Sequence, residues 1–86
     1  MNEETFKKAE VLYVKLITLK DDRKKLVKAT ALTDDITVKT ESIFTNNVGV
    51  STKYIDFNKF KSFLLEEIDK EIIKTQKEFN ELWNRQ

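Results

Sequence analysis

Histidine and cysteine are both absent from this sequence. Their absence removes the Ser-His and Cys-His nucleophile pairs, thiolate chemistry and the usual zinc sites. Carboxylates are the main chemistry-bearing groups left, and beyond the first helical turn three adjacent pairs are candidates: Asp21-Asp22, Asp34-Asp35 and Glu66-Glu67. Two carboxylates can hold Mg²⁺ or divide acid and base roles between them. Each pair here lies near lysines or on a face or loop that the surrounding pattern leaves to water, so solvated charge is the expectation for all three. The single glycine excludes a glycine-rich phosphate loop. No catalytic residue, metal ligand or cofactor is therefore assigned, and the chain is expected not to be an enzyme.

Binding is the remaining chemistry. Between Thr40 and Lys53 lie Thr40, Ser42, Thr45, Asn46, Asn47, Ser51 and Thr52, a dense set of neutral donors and acceptors. Lys39 and Lys53 add positive charge, and Lys59 and Lys61 fall near the start of a following helix, whose amides favour a phosphate. The candidate ligand-binding residues are Thr40, Ser42, Asn46, Asn47, Ser51, Thr52, Lys53, Tyr54 and Lys59, and the ligand they suit is small, anionic and nucleotide-like. Asp56 opposes this, because a capping carboxylate occupies the same amides and repels an anion. The plainer reading is that Thr and Ser are strand residues, Asn46-Asn47 is a turn and the lysines protect an edge. The basic run Lys20, Arg23, Lys24, Lys25 and Lys28 has no interleaved aromatics on which bases could stack. It reads as a solvated helix end favoured by the macrodipole.

Helices and a hairpin must position these residues. Asn2 can cap a helix over about 3–29 whose first turn carries Glu3 and Glu4. At about 100° per residue, Val11, Leu12, Tyr13, Val14, Leu16, Ile17 and Leu19 cover most of its circumference, more than one partner helix can bury. From Thr30 to Asp35 the helical period is lost among turn-favouring residues. Ile36, Val38, Thr40, Ser42 and Phe44 then alternate with Thr37, Lys39, Glu41 and Ile43, a β-branched run of period two. With Asn46-Asn47 as a two-residue loop, a hairpin over about 36–55 would place Ile43 opposite Val50, Thr40 opposite Lys53 and Val38 opposite Ile55. An isolated hairpin is marginal in water, so it should pack on the helices or pair with another subunit. Asp56 can cap a second helix over about 57–84, with Phe57, Phe60, Leu64, Ile68, Ile72, Phe79 and Leu82 in one stripe widened by Leu65 and Trp83.

The expected fold class is α+β and predominantly helical, a single domain of long helix, hairpin and long helix assembled as a helical-bundle oligomer. Eighty-six residues bury a thin core. Disulfides and a His/Cys-bound metal are unavailable as reinforcement, which leaves self-association. Val11, Leu12, Leu16, Ile17 and Leu19 are the candidate subunit interface.

Sixteen basic against fifteen acidic residues leave +1, far from the excess of a dedicated duplex-binding domain, so nucleic acid is not an expected partner. The apolar stretch Val11–Leu19 is interrupted by Lys15 and Thr18 and is too short to span a membrane. The start of the chain lacks the basic and apolar regions of a signal peptide, and a cytoplasmic location is the expectation. In size, missing catalytic residues and element order, the chain resembles in a general way the small accessory proteins of bacteriophages and prophages. That resemblance implies a homo-oligomeric binding protein of phage or mobile-element type, serving in anti-defence. The leading expectation is that such a protein sequesters a small anionic, nucleotide-type signalling ligand, and the alternative is that it blocks or scaffolds a host protein through its helix faces or hairpin edge.

Overall fold

The computed structural model describes residues 2–39 and 47–84. Four elements follow one another: helix α1 (Glu3–Val27), strand β1 (Asp35–Lys39), strand β2 (Asn47–Ser51) and helix α2 (Phe57–Asn84). The content is mostly helical, with an antiparallel two-stranded hairpin between the helices.

Side chains fix the helix ends. Asn2 Oδ1 accepts from the Thr5 N–H at 2.7 Å, satisfying an amide that the first turn leaves open. At the other end, the Lys61 ammonium reaches across from α2 and donates to the carbonyls of Val27 and Ala29 at 2.8 and 3.0 Å. Those oxygens lie at the negative end of α1 and lack helical donors, so one cation both caps α1 and ties it to α2. Asp56 Oδ1 accepts from the Lys59 N–H at 3.2 Å and starts α2.

The helices run antiparallel. Tyr13 meets Phe79, Lys15 pairs with Glu71, and Arg23 Nε donates to Asp69 at 2.6 Å. Ala9, Leu12, Leu16 and Leu19 supply the α1 side of the seam at spacings of three and four, with Ala9 and Leu16 buried and Leu12 and Leu19 partly buried. Leu64, Ile68, Ile72, Phe79 and Leu82 supply the α2 side and are all partly buried. Thr75, the position that completes their seven-residue gap, is the fully buried centre of that stripe. The molecule measures 51 × 34 × 15 Å, the thickness of one helical layer.

The hairpin register differs from the sequence expectation. Ile36 pairs with Val50 and Val38 with Val48, and Lys39 faces Asn47. Asn47 is thus a strand residue rather than half of a two-residue loop, and β2 ends at Ser51, short of Ile55. Moving the partner of Val38 from Ile55 to Val48 is an odd shift, which turns Val48 and Val50 onto the face of Ile36 and Val38. Four β-branched side chains then meet across the strands, an association that outweighs the turn preference of two asparagines. Thr52 fastens the base, its hydroxyl donating to the carbonyls of Thr33 and Asp34 at 2.6 and 3.0 Å.

Packing of the hairpin on the helices, one of the two arrangements expected, is not what is seen. Among the described residues, no strand Cα lies within 8 Å of a helix Cα. Val38, Val48 and Val50 remain more than 40% exposed.

Candidate functional site

Two regions were singled out by sequence, and the structure treats them differently. In the polar region, Thr40, Ser42 and Asn46 lie outside the described residues. Of the others, Asn47 is in β2, and Ser51 Oγ accepts from the Lys53 N–H at 3.3 Å. Thr52 spends its hydroxyl proton on the hairpin base. The Lys53 ammonium stands 5.4 Å from the centre of the Tyr54 ring, and Tyr54 is 90% exposed. Lys59 belongs to a separate shallow concavity of about 400 Å³ that it shares with Asp56 and Glu66. Two carboxylates against one ammonium make that concavity a poor anion receptor. Lys61, which could have helped, is committed to the end of α1.

Of the paired carboxylates, Asp21, Glu66 and Glu67 are held by neighbouring cations. Asp21 bonds Lys25 at 2.9 Å, and that hydrogen bond, followed by the charge of Lys25, pulls its carboxyl below the usual range. Glu66 and Glu67 both approach Lys70, at 3.3 and 3.7 Å, and their hydrogen bonding and charge raise the Lys70 ammonium. Across the helices, the hydrogen bond from Lys15 and then its charge hold Glu71 below the ordinary carboxylate range, while Glu71 raises Lys15. Asp69 raises Arg23 in the same way. The Lys15–Glu71 and Arg23–Asp69 pairs bridge the two helices, and the others are surface pairs within one helix. Among the described residues no group of three His, Cys, Asp or Glu side chains converges as a metal site would require.

The apolar region divides by face. Leu16 is buried inside the chain, and Leu12 and Leu19 are partly buried with it, so these three serve the seam between α1 and α2. Val11 and Ile17 remain 67% and 51% exposed. Rotating about 90° from the seam in one direction reaches Phe6, Tyr13 and Ile17 on α1 and Ile72, Phe79 and Trp83 on α2. The aromatic members cluster there: Tyr13 and Phe79 centroids are 6.3 Å apart, and Phe79 and Trp83 stack at 5.9 Å with planes 15° apart. With Phe6, Ala9 and Glu10 they line a shallow hollow of about 300 Å³. Rotating the other way reaches Lys8, Lys15, Glu71, Glu78 and Glu81, a charged face with a groove of about 580 Å³ floored by Val11, Leu12 and Leu82.

Sequence reasoning did not single out Phe6 or Thr75. The seven-residue interval from Phe6 to Tyr13 marks the first, and the gap between Ile72 and Phe79 marks the second. No protein family, curated protein or solved structure matches the chain. Among the described residues no helix is long and apolar enough to cross a membrane.

Proposed function

We propose that this chain is a non-enzymatic, self-associating interaction module that works by presenting an assembled helical surface to a protein partner. One observation carries this reading. A folded monomer of 10.2 kDa exposes about 5,300 Å² by the general scaling of surface with mass, whereas this chain exposes 7191 Å². Its radius of gyration, 17.5 Å, likewise exceeds the roughly 12 Å of a compact chain of this length. A single helical layer that buries only Ala9 and Leu16 among its apolar side chains needs further burial to be stable. A second copy is the partner always present, and two such layers make a four-helix core. Blocking or scaffolding a host protein, in the manner of a phage or mobile-element accessory protein, is the role this reading supports.

Sequestration of a nucleotide-type anion is the second reading, favoured by the exposed Lys53–Tyr54 pair, which offers a cation and a stacking surface side by side. The capping carboxylate of Asp56 and the diversion of Lys61 weigh against it. Two measurements test the pair of readings. Self-association requires a melting temperature that rises with chain concentration, and a concentration-independent value refutes it. Incubation with nucleotides followed by denaturation should release none under the protein-partner reading. Intact nucleotide released in stoichiometric amount would favour sequestration, and altered nucleotide would reveal an enzyme.

A further inference from the structure

We propose that the open edge of β2 is a strand-addition site, and that its occupant is β2 of a second copy of this chain, antiparallel about a two-fold axis at Gly49. This rests on the self-association reading above and gives that assembly a contact outside the helical layer.

The phase of the hairpin ladder decides which main-chain groups are free. The Thr52 N–H donates to the Asp34 carbonyl at 3.0 Å, so Asp34 and Thr52 are a hydrogen-bonded pair. Such pairs alternate with unbonded ones along an antiparallel ladder, which makes Ile36–Val50 and Val38–Val48 hydrogen-bonded. The N–H and C=O groups of Asn47, Gly49 and Ser51 therefore point away from β1. A row of this kind is a template for another strand.

The two edges of the hairpin are not equivalent. On β1 the outward carbonyl of Asp35 already accepts from the Thr33 hydroxyl at 2.8 Å, and Asp35 and Lys39 put charges along that edge. On β2 there is neither charge nor proline, and among the described residues no main-chain group bonds the outward row. No helix covers it, since the strands make no contact with α1 or α2 among the described residues.

Pairing β2 with its copy satisfies the row in one register. With Gly49 opposite its own copy, Asn47 falls opposite Ser51, and about six main-chain hydrogen bonds form, two for each facing pair. Val48 then lies opposite Val50 on the face that Ile36 and Val38 share, so the four-stranded sheet has one continuous apolar face. A two-stranded hairpin is marginal by itself, whereas three or more strands with a hydrophobic face are stable. Strand addition draws its affinity from main-chain hydrogen bonds rather than from apolar area, which suits so short an edge. Two-fold pairing also closes the assembly, because each copy has one such edge.

The test combines sedimentation with amide hydrogen exchange on the full chain. As concentration rises, exchange should slow at Asn47, Gly49 and Ser51 and stay fast at Thr37 and Lys39 on the other edge. Gly49→Pro deletes the central outward N–H and should raise the dissociation constant at least about fivefold, the loss expected for two main-chain bonds. Thr37→Pro, opposite it on β1, deletes an equally outward N–H and should leave assembly unchanged. A Cβ at Gly49 would meet nothing within 4 Å, so Gly49→Lys and Gly49→Glu are also accommodated. Each places like charges opposite one another and should weaken assembly, whereas a mixture of the two should assemble more tightly than either alone. The mixture decides the matter if proline disturbs the hairpin. A wild type that assembles with unchanged exchange along β2, or a mixture no tighter than its components, overturns the edge and leaves self-association standing. A wild type with the mass of one chain at every concentration overturns both.

Discussion

Thr75→Val should stabilise the protein. Thr75 is fully buried at the centre of the α2 stripe, and among the described residues its hydroxyl has no hydrogen-bond partner. Valine has nearly the same shape, so replacing the hydroxyl by a methyl group leaves the packing in place and removes an unpaired polar group from an apolar seam. The relief is about 1 to 3 kcal/mol, the cost of leaving a buried donor or acceptor unmade. Helix propensity scarcely changes between two β-branched residues. For a domain of this size each kcal/mol is worth about 4 to 8 °C, so a rise of roughly 5 to 20 °C is expected. Thermal melts followed by circular dichroism should be run at one fixed chain concentration, because assembly couples to stability. Thr75→Ser is the counterpart, keeping the hydroxyl and losing the methyl, and should lower the melting temperature. An unchanged or lower melting temperature for Thr75→Val would refute the reasoning, since the hydroxyl would then have a partner that satisfies it.

Three further outcomes are expected. Leu16→Ala, at a site only 4% exposed, should cost about 2 to 5 kcal/mol in a urea titration, and a loss below 1 kcal/mol would mean that the seam is not the core. Asn2→Ala should cost about 1 kcal/mol by freeing the Thr5 amide, detectable as increased hydrogen exchange in the first turn of α1 and absent if the cap is unimportant. Glu71 has its carboxyl held below the ordinary range by Lys15. Its contribution is therefore fully present above the usual glutamate value of about 4.3 and is lost as pH falls through the lower folded value. Urea midpoints should fall across that window by less in Lys15→Ala than in the wild type, and identical pH profiles would show that the pair does not act in solution.

The helices were legible in the sequence because local signals agree there. Asn2 and Asp56 stand where caps belong, acidic residues open α1, and the α2 stripe keeps one face from Phe57 to Leu82. The hairpin was legible as an element from its β-branched alternation, but not in register. Asn46-Asn47 advertises a tight turn, whereas the pairing of Ile36 with Val50 and Val38 with Val48 depends on a cross-strand association that no short window of sequence displays. The near-continuous apolar surface of α1 identified an excess of hydrophobic residues without saying which of them α2 would take. Geometry chose Ala9, Leu12, Leu16 and Leu19, whose alternating spacings form the straightest seam, and left Tyr13, Val14 and Ile17 outside. Thr75 went unnoticed because composition marks threonine as a surface residue, although its spacing places it at the centre of the stripe.

Sedimentation equilibrium of the wild-type chain from micromolar to sub-millimolar concentration tests self-association most directly. A mass rising to an integer multiple of 10.2 kDa, and already above one chain in the micromolar range, is the expected result. A mass of 10.2 kDa at every concentration, with the helices intact by circular dichroism, would contradict it.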